Sequence, residues 1–348
     1  YGEDGSNLLG IAYTNARELL KKDSSTKQVL SKEPNIIVIN GVSLDLSEIG
    51  INFKLGEQQI EALNEIANWL NDKTQKSYTL VGYAGTGKTT IMKVLLHYMN
   101  IKRKSYLLAA PTHKAAGVLN KNTKGVARVA PTTLAKLLDI KASPNPVSGV
   151  LEFKPTGKSK VNGATVIVDE FSLINDGIVD ILTDASNSVG SKVLYLGDDA
   201  QLFPVGQNTV SKALKSDKVY KLTDIKRQTG GNPLVRWLQY LRDYPTAPGY
   251  AMKHSTNITE NNDGRMYIQG SKSDSWLNTA AKLFKLPEYG TNPDLVKILT
   301  DTNKAANLYN YLIRRALGYE DLANINEGET LTAYNTLLTE DGEEMGIY

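Results

Sequence analysis

The stretch Gly82-Tyr83-Ala84-Gly85-Thr86-Gly87-Lys88-Thr89 constrains this chain more than any other feature. It matches G-x-x-x-x-G-K-S/T in full, and its flanks have the right character. The β-prone run Tyr78-Thr79-Leu80-Val81 precedes it, and Thr90-Ile91-Met92-Lys93-Val94-Leu95-Leu96 reads as a helix after it. In a strand–loop–helix setting, the glycines let backbone N–H groups point at phosphate oxygens, and the helix N-terminus adds positive potential. Lys88 can reach the β- and γ-phosphates, and the Thr89 hydroxyl can ligate Mg2+. The pattern predicts a bound nucleoside triphosphate, ATP·Mg2+, cradled by Gly82, Gly85, Thr86, Gly87, Lys88, Thr89 and Thr90.

The 348 residues give room for about two domains. Apolar content of 41% and charged content of 22% suit a globular chain with an ordinary core. A net charge of +3 neither demands nor excludes nucleic acid, so the placement of basic residues must decide. The absence of cysteine excludes disulfides, thiolate catalysis and cysteine-ligated zinc. His97, His113 and His254 are scattered, against a multi-histidine metal site. No apolar run approaches the ~18 residues of a membrane span, and the N-terminus lacks the pattern of a signal peptide.

Residues 1–50 read as an N-terminal extension without visible chemistry. A short helix is predicted over residues 7–22, then a hairpin in which Ile36-Ile37-Val38-Ile39 and Val42-Ser43-Leu44 flank an Asn40-Gly41 turn. Residues 57–71 have helical periodicity through Ile60, Leu63, Ile66, Ala67 and Leu70. After the phosphate loop, strands are predicted at 107–110, 166–168 and 193–196, with helices at 114–120 and 175–186. This rhythm argues for an α/β fold with a parallel sheet covered by helices. The turn-rich stretch 141–163 interrupts it and reads as an inserted β-hairpin around Val150-Leu151-Glu152-Phe153. A second α/β pattern begins with a strand at 296–299 and a helix at 304–316. The domain expectation is thus 1–50, then 51–228, then an incomplete second domain over 229–348. Residues 244–275 are turn-rich and polar, with no function legible in them.

Three further strand exits carry chemistry. Ala164-Thr165-Val166-Ile167-Val168 ends in Asp169-Glu170. Asp169 suits the Mg2+ carboxylate of a phosphate-transfer site, and Glu170 suits polarisation of the attacking water. Gly197-Asp198-Asp199-Ala200-Gln201-Leu202 leaves another strand, which would let Gln201 face the γ-phosphate.

Together these residues resemble a superfamily 1 helicase of the 5′-to-3′ branch, close to the RecD-like and phage Dda-like enzymes. Leu55-Gly56-Glu57-Gln58-Gln59-Ile60-Glu61-Ala62 is similar to that family's Q motif, which implies Gln59 on the adenine. Residues 82–89 are motif I, and Ala110-Pro111-Thr112-His113-Lys114-Ala115-Ala116 resembles motif Ia. Asp169-Glu170 is motif II and residues 197–202 are motif III. Lys221-Leu222-Thr223-Asp224-Ile225-Lys226-Arg227-Gln228 resembles motif IV, which implies Arg227 as a cation on the γ-phosphate. The resemblance covers about residues 54–335. It implies a RecA-like motor domain followed by part of a second one, ATP hydrolysis, and a single-stranded DNA track.

On that track it implies contacts from Thr112, His113, Lys114, Thr133, Thr302 and Asn303. At Ala135 the family usually has a histidine. The hairpin lies where the family carries its duplex-splitting pin; its one aromatic, Phe153, either stacks on a base or anchors the hairpin to the domain. Replication or recombination proteins are implied as partners, and the cytoplasm of a bacterial cell or phage-infected host as the location. Two second-domain motifs of the family, a T-x-H-x-x-Q-G-like loop and a T-R pair, are not found. The expectation is a chain that binds ATP better than it turns it over, either as an incomplete motor or as a helicase-like scaffold.

Overall fold

The computed structural model describes residues 10–13, 35–83, 85–144, 151–204, 207–224, 242–244, 265–268, 275–292, 295–300, 302–319, 325–327 and 329. The chain divides into two compact units, one of Val29–Thr229 and one of Tyr1–Gln28 with Gly230–Tyr348.

Strand β1 (Gly10–Tyr13) belongs to the second of these. In the first, β2 (Ile36–Ile39) and β3 (Val42–Asp45) form the expected hairpin. Asn40 and Gly41 both take positive φ, 45° and 73°, as a two-residue turn matched to strand twist requires. Ile39 and Leu44 are buried in the same cluster as the helices that follow, so the hairpin is part of this unit's core.

Six strands build the central sheet: β4 (Ser77–Gly82), β5 (Tyr106–Ala110), β6 (Thr132–Thr133), β9 (Thr165–Val168), β10 (Val193–Gly197) and β11 (Lys218–Leu222). The intervening labels β7 (Ile140–Pro144) and β8 (Leu151–Pro155) belong to the inserted hairpin. The sheet order is β11-β4-β10-β9-β5-β6, with every neighbouring pair parallel. Side chains alternate across it. Leu80, Ile167, Leu194 and Leu196 enter one core, and Val81, Val166, Val168, Val193 and Tyr195 enter the other. Such strands are apolar on both faces, and helices cover both. Helices α1 (Glu57–Trp69) and α2 (Lys88–Ile101) supply Leu63, Ile66, Ile91, Leu95 and Tyr98 to the first core. Helix α3 (His113–Thr123) adds Leu119 there, while α4 (Leu134–Leu138) and α5 (Asp176–Ser188) line the second. This is the RecA-like P-loop fold expected from the sequence.

The inserted hairpin is pinned at its base. Asp139, at φ 50°, accepts the Thr156 N–H on its carbonyl (2.7 Å) and the Thr156 hydroxyl on its carboxylate (3.0 Å). Phe153 is half-buried and packs against the second core, in keeping with the anchoring alternative.

In the other unit, two sequence expectations are corrected. Residues 10–13 are a strand, not part of a helix over 7–22. They pair antiparallel with β12 (Arg265–Ile268), Gly10 opposite Ile268, and cross-strand pairing outweighs local helical pattern. Residues 296–299 form no strand; Leu299 is 80% exposed, and no described strand lies beside it. Helices α6 (Ser275–Phe284), α7 (Pro287–Thr291) and α8 (Asn303–Leu317) follow. Ala280 and Ala281 pack with Ile313 in a small core of their own.

Candidate functional site

The phosphate loop joins the end of β4 to α2. Gly87 caps α2 at φ 89° and Gly85 sits at 86°, a region that side chains resist. A Cβ on Gly82 would come 2.6 Å from the Thr86 hydroxyl oxygen, so this glycine is required by space rather than by backbone angle. Thr86 is buried, and its hydroxyl and N–H both donate to the Tyr83 carbonyl, at 2.8 and 3.2 Å. Lys88 Nζ donates to the carbonyls of Gly82 (2.5 Å) and Tyr83 (3.3 Å), so the ammonium is folded over the loop. Thr89 is exposed on the first turn of α2, with Thr90 half-buried beside it.

Gln59 lies beneath this loop. Its Oε1 accepts the Gly56 N–H and its Nε2 donates to the Thr86 carbonyl, both at 2.9 Å. Gln58 turns the other way. Its Oε1 accepts the N–H groups of Thr223 and Asp224, and its Nε2 donates to the Thr223 hydroxyl, all at 3.0 Å.

The sheet order places the acids. Between β4 and β9 stands one strand, β10, which puts the loop and the Asp169-Glu170 exit about 10 Å apart at ordinary strand spacing. The exit of β10 falls between them. Burial first, and then the Glu170 charge, push the Asp169 carboxyl up to about 6, against the opposing pull of a backbone N–H and Lys88. The Lys88 influence shows that its ammonium and this carboxylate share one field. Glu170 holds φ 57°, ψ 47°, a left-handed conformation costing roughly 1–2 kcal/mol for a residue with a Cβ. Its Oε2 is buried without a hydrogen-bond partner. A strained, desolvated carboxylate oxygen facing the loop's end of the sheet is a group awaiting a proton donor such as water.

Gly197 closes β10 against the 3-10 turn Phe171–Leu173, where a Cβ would meet the Phe171 ring at 2.6 Å. The Ser172 hydroxyl donates to Gln201 Oε1 at 3.4 Å, which ties the second strand exit to the third. Asp199 pairs with Lys221 Nζ (2.7 Å), and that ammonium lies 5.4 Å above the Tyr83 ring. Arg227 lies outside the described residues.

Among the described residues, no three His, Cys, Asp or Glu are grouped to hold a metal ion. One or two carboxylates plus phosphate oxygens is the usual arrangement for Mg2+. The partnerless Glu170 oxygen, the raised Asp169 and the exposed Thr89 hydroxyl fit that arrangement.

The three threonines expected on DNA share a local role. Thr112 caps α3, Thr133 caps α4 and Thr302 caps α8, accepting the N–H of Ala115 (3.1 Å), Lys136 (3.2 Å) and Ala305 (3.2 Å). Thr112, His113 and Lys114 are exposed, as are Thr302 and Asn303 in the other unit; Thr133 is buried.

A family model described as an AAA domain matches residues 54–257. The chain belongs to that family. All six motifs that carry the resemblance to RecD-like superfamily 1 helicases lie inside the AAA-domain span, and the resemblance holds. The chain is 27% identical over 281 residues to the uncharacterized protein R530 of Acanthamoeba polyphaga mimivirus, covering 74% of this chain and 56% of that protein. Solved structures similar to the AAA-domain chain include Bacteroides sp Pif1 in complex with ADP-AlF4 (23% identity, 70% of this chain, 52% of that chain, TM-score 0.38). Another is the Pif1 helicase of Candida albicans (21% identity, 55% and 44%, TM-score 0.39). At TM-scores this low the two likenesses decide nothing about function. The chain spans about half the length of these relatives.

Sequence reasoning missed Gln58, Lys221 and the left-handed Glu170. The partners of Gln58 and Lys221 are distant in the chain, so no local pattern marks them. The other glutamine left a signal: at the third position of a helix after Gly56, its side chain reaches back to the cap N–H.

Proposed function

We propose that this chain is the nucleotide-binding part of an ATP-dependent DNA helicase or translocase that tracks 5′ to 3′ on single-stranded DNA. The observation that carries the hydrolytic reading is Glu170, a buried carboxylate oxygen without a partner, on the same sheet edge as the phosphate loop and beside Asp169. In this reading Lys88 leaves the Gly82 and Tyr83 carbonyls for the β- and γ-phosphates. Thr89 and Asp169 would hold Mg2+, which when bound offsets phosphate charge. Glu170 takes a hydrogen bond from the attacking water and accepts its proton as the oxygen reaches phosphorus. Gln201, fixed by Ser172, faces the γ-phosphate, and Arg227 adds positive charge there. Thr112, His113, Lys114, Thr133, Thr302 and Asn303 contact the DNA backbone, with Phe153 at the foot of a duplex-splitting hairpin. Partners acting in replication or recombination fit the same reading.

The deciding experiment is ATP hydrolysis by the purified chain with and without single-stranded DNA, alongside Mg2+-dependent nucleotide binding. Binding that vanishes in Lys88→Ala supports the assignment. Absence of any adenine-nucleotide affinity in the unaltered chain overturns it. Tight binding with no hydrolysis under any DNA condition would favour a helicase-like scaffold instead.

A further inference from the structure

We propose that Gln59 is a positioning residue for the phosphate loop and not the reader of the nucleobase, so that it sets affinity for a triphosphate whatever base is attached. The inference rests on the nucleotide-binding reading above and concerns how that site is held.

The side chain is 4% exposed and committed at both ends. Its carbonyl takes the Gly56 N–H at the cap of α1, and its amide donates to the Thr86 carbonyl. A Cβ placed on Gly87 would stand 2.1 Å from Nε2, so the amide fills the space directly under that glycine. One side chain therefore joins the cap of α1 to two successive residues of the loop.

The consequence follows from peptide geometry. The Thr86 carbonyl and the Gly87 N–H belong to one planar trans unit, so they point in opposite directions. With the carbonyl drawn toward Gln59, the Gly87 N–H is turned away from it and is left for a phosphate oxygen. Gln59 thus orients a donor of the cradle from behind. Reading a base edge would require the amide to rotate out, leaving the Gly56 N–H and the Thr86 carbonyl without these partners in a buried place. Each orphaned group costs about 1–3 kcal/mol. Its neighbour Gln58 is equally engaged, on Thr223 and Asp224.

The test measures binding of Mg·ATP, Mg·GTP and Mg·tripolyphosphate to the full chain by calorimetry, for the wild type and Gln59→Ala. Tripolyphosphate has no base, so it isolates the loop. The expected result is a loss of roughly tenfold, equal for all three ligands, from two missing hydrogen bonds. Gln59→Glu keeps the acceptor for Gly56 but sets a carboxylate oxygen against the Thr86 carbonyl, and should lose as much, again equally. A loss confined to ATP, with GTP and tripolyphosphate unchanged, overturns the inference. Should the alanine variant fail to show a cooperative thermal transition, Gln59→Asn offers the same comparison. It retains the amide but is one methylene too short to span the gap, and the same two outcomes decide. A wild-type chain that binds none of the three would sink the nucleotide reading itself, an outcome distinct from base-selective loss.

Discussion

Two adjacent carboxylates at the end of one strand are held in unequal environments. Asp169 is buried beside a second negative charge, which raises its pKa to about 6. A carboxyl with a raised folded-state value binds more protons folded than unfolded between 3.8 and about 6. Stability of the ligand-free chain therefore falls as pH rises through that window, and the full cost is present at neutrality. Asp169→Asn should thus stabilise the ligand-free chain at pH 7 by on the order of 2 kcal/mol while weakening Mg2+-dependent nucleotide binding. Denaturant titrations at pH 5 and 7.5 check the sign: the gain should shrink at the lower pH. Glu170 serves differently, as a proton acceptor. Glu170→Gln keeps size and removes basicity, so nucleotide binding should persist while hydrolysis drops roughly 100-fold or more. Equal losses in binding and turnover would speak against a base role.

At the scale of elements, the strand exits are held in place by small, specific contacts. Asp217 accepts the N–H groups of Lys76 and Ser77, at 2.6 and 2.8 Å, and so clips the entry of β4 to the loop before β11. Partial burial works against its charge, but these donors win and hold the carboxyl below the ordinary carboxylate range. A depressed value gives stability that is present above the unfolded value of 3.8 and lost as pH falls through the folded one. Asp217→Asn should cost about 1 kcal/mol at neutral pH, a modest figure because the group is exposed, and should flatten the acid limb of the stability profile. Gly197→Ala forces a methyl into the Phe171 ring and backbone, and about 1–3 kcal/mol of destabilisation is expected in a urea melt. The elements that were legible in the sequence are those with local cause. The Asn40-Gly41 hairpin follows from turn chemistry, and the phosphate loop from its glycines. Residues 10–13 and 296–299 were misread because a partner strand, present for one and absent for the other, decides their state. The Gln58 and Asp217 clips were illegible for the same reason, since each joins segments more than a hundred residues apart.

For the whole molecule, the question is which part can act alone. The unit Val29–Thr229 contains both large cores, all six sheet strands, the phosphate loop, both acids and the Gln201 exit. It also contains the hairpin of β2 and β3, whose Ile39 and Leu44 are fully buried among α1 and α2 residues, so a cut at residue 51 would expose that core. The Thr302 cap and α8 belong to the other unit, with a separate, smaller core. If nucleotide binding needs only the loop and the acids, a fragment spanning residues 29–229 should fold cooperatively and bind Mg·ATP within a few-fold of the full chain. A fragment starting at residue 51 should lose several kcal/mol through the uncovered apolar surface. If hydrolysis is coupled to DNA through both units, any stimulation by single-stranded DNA in the full chain should disappear in the 29–229 fragment, because Thr302 and Asn303 are gone. Measuring ATP turnover of both proteins against oligonucleotide concentration checks this. Stimulation that survives intact in the fragment would place the coupling within the first unit, on Thr112, His113, Lys114 and the inserted hairpin.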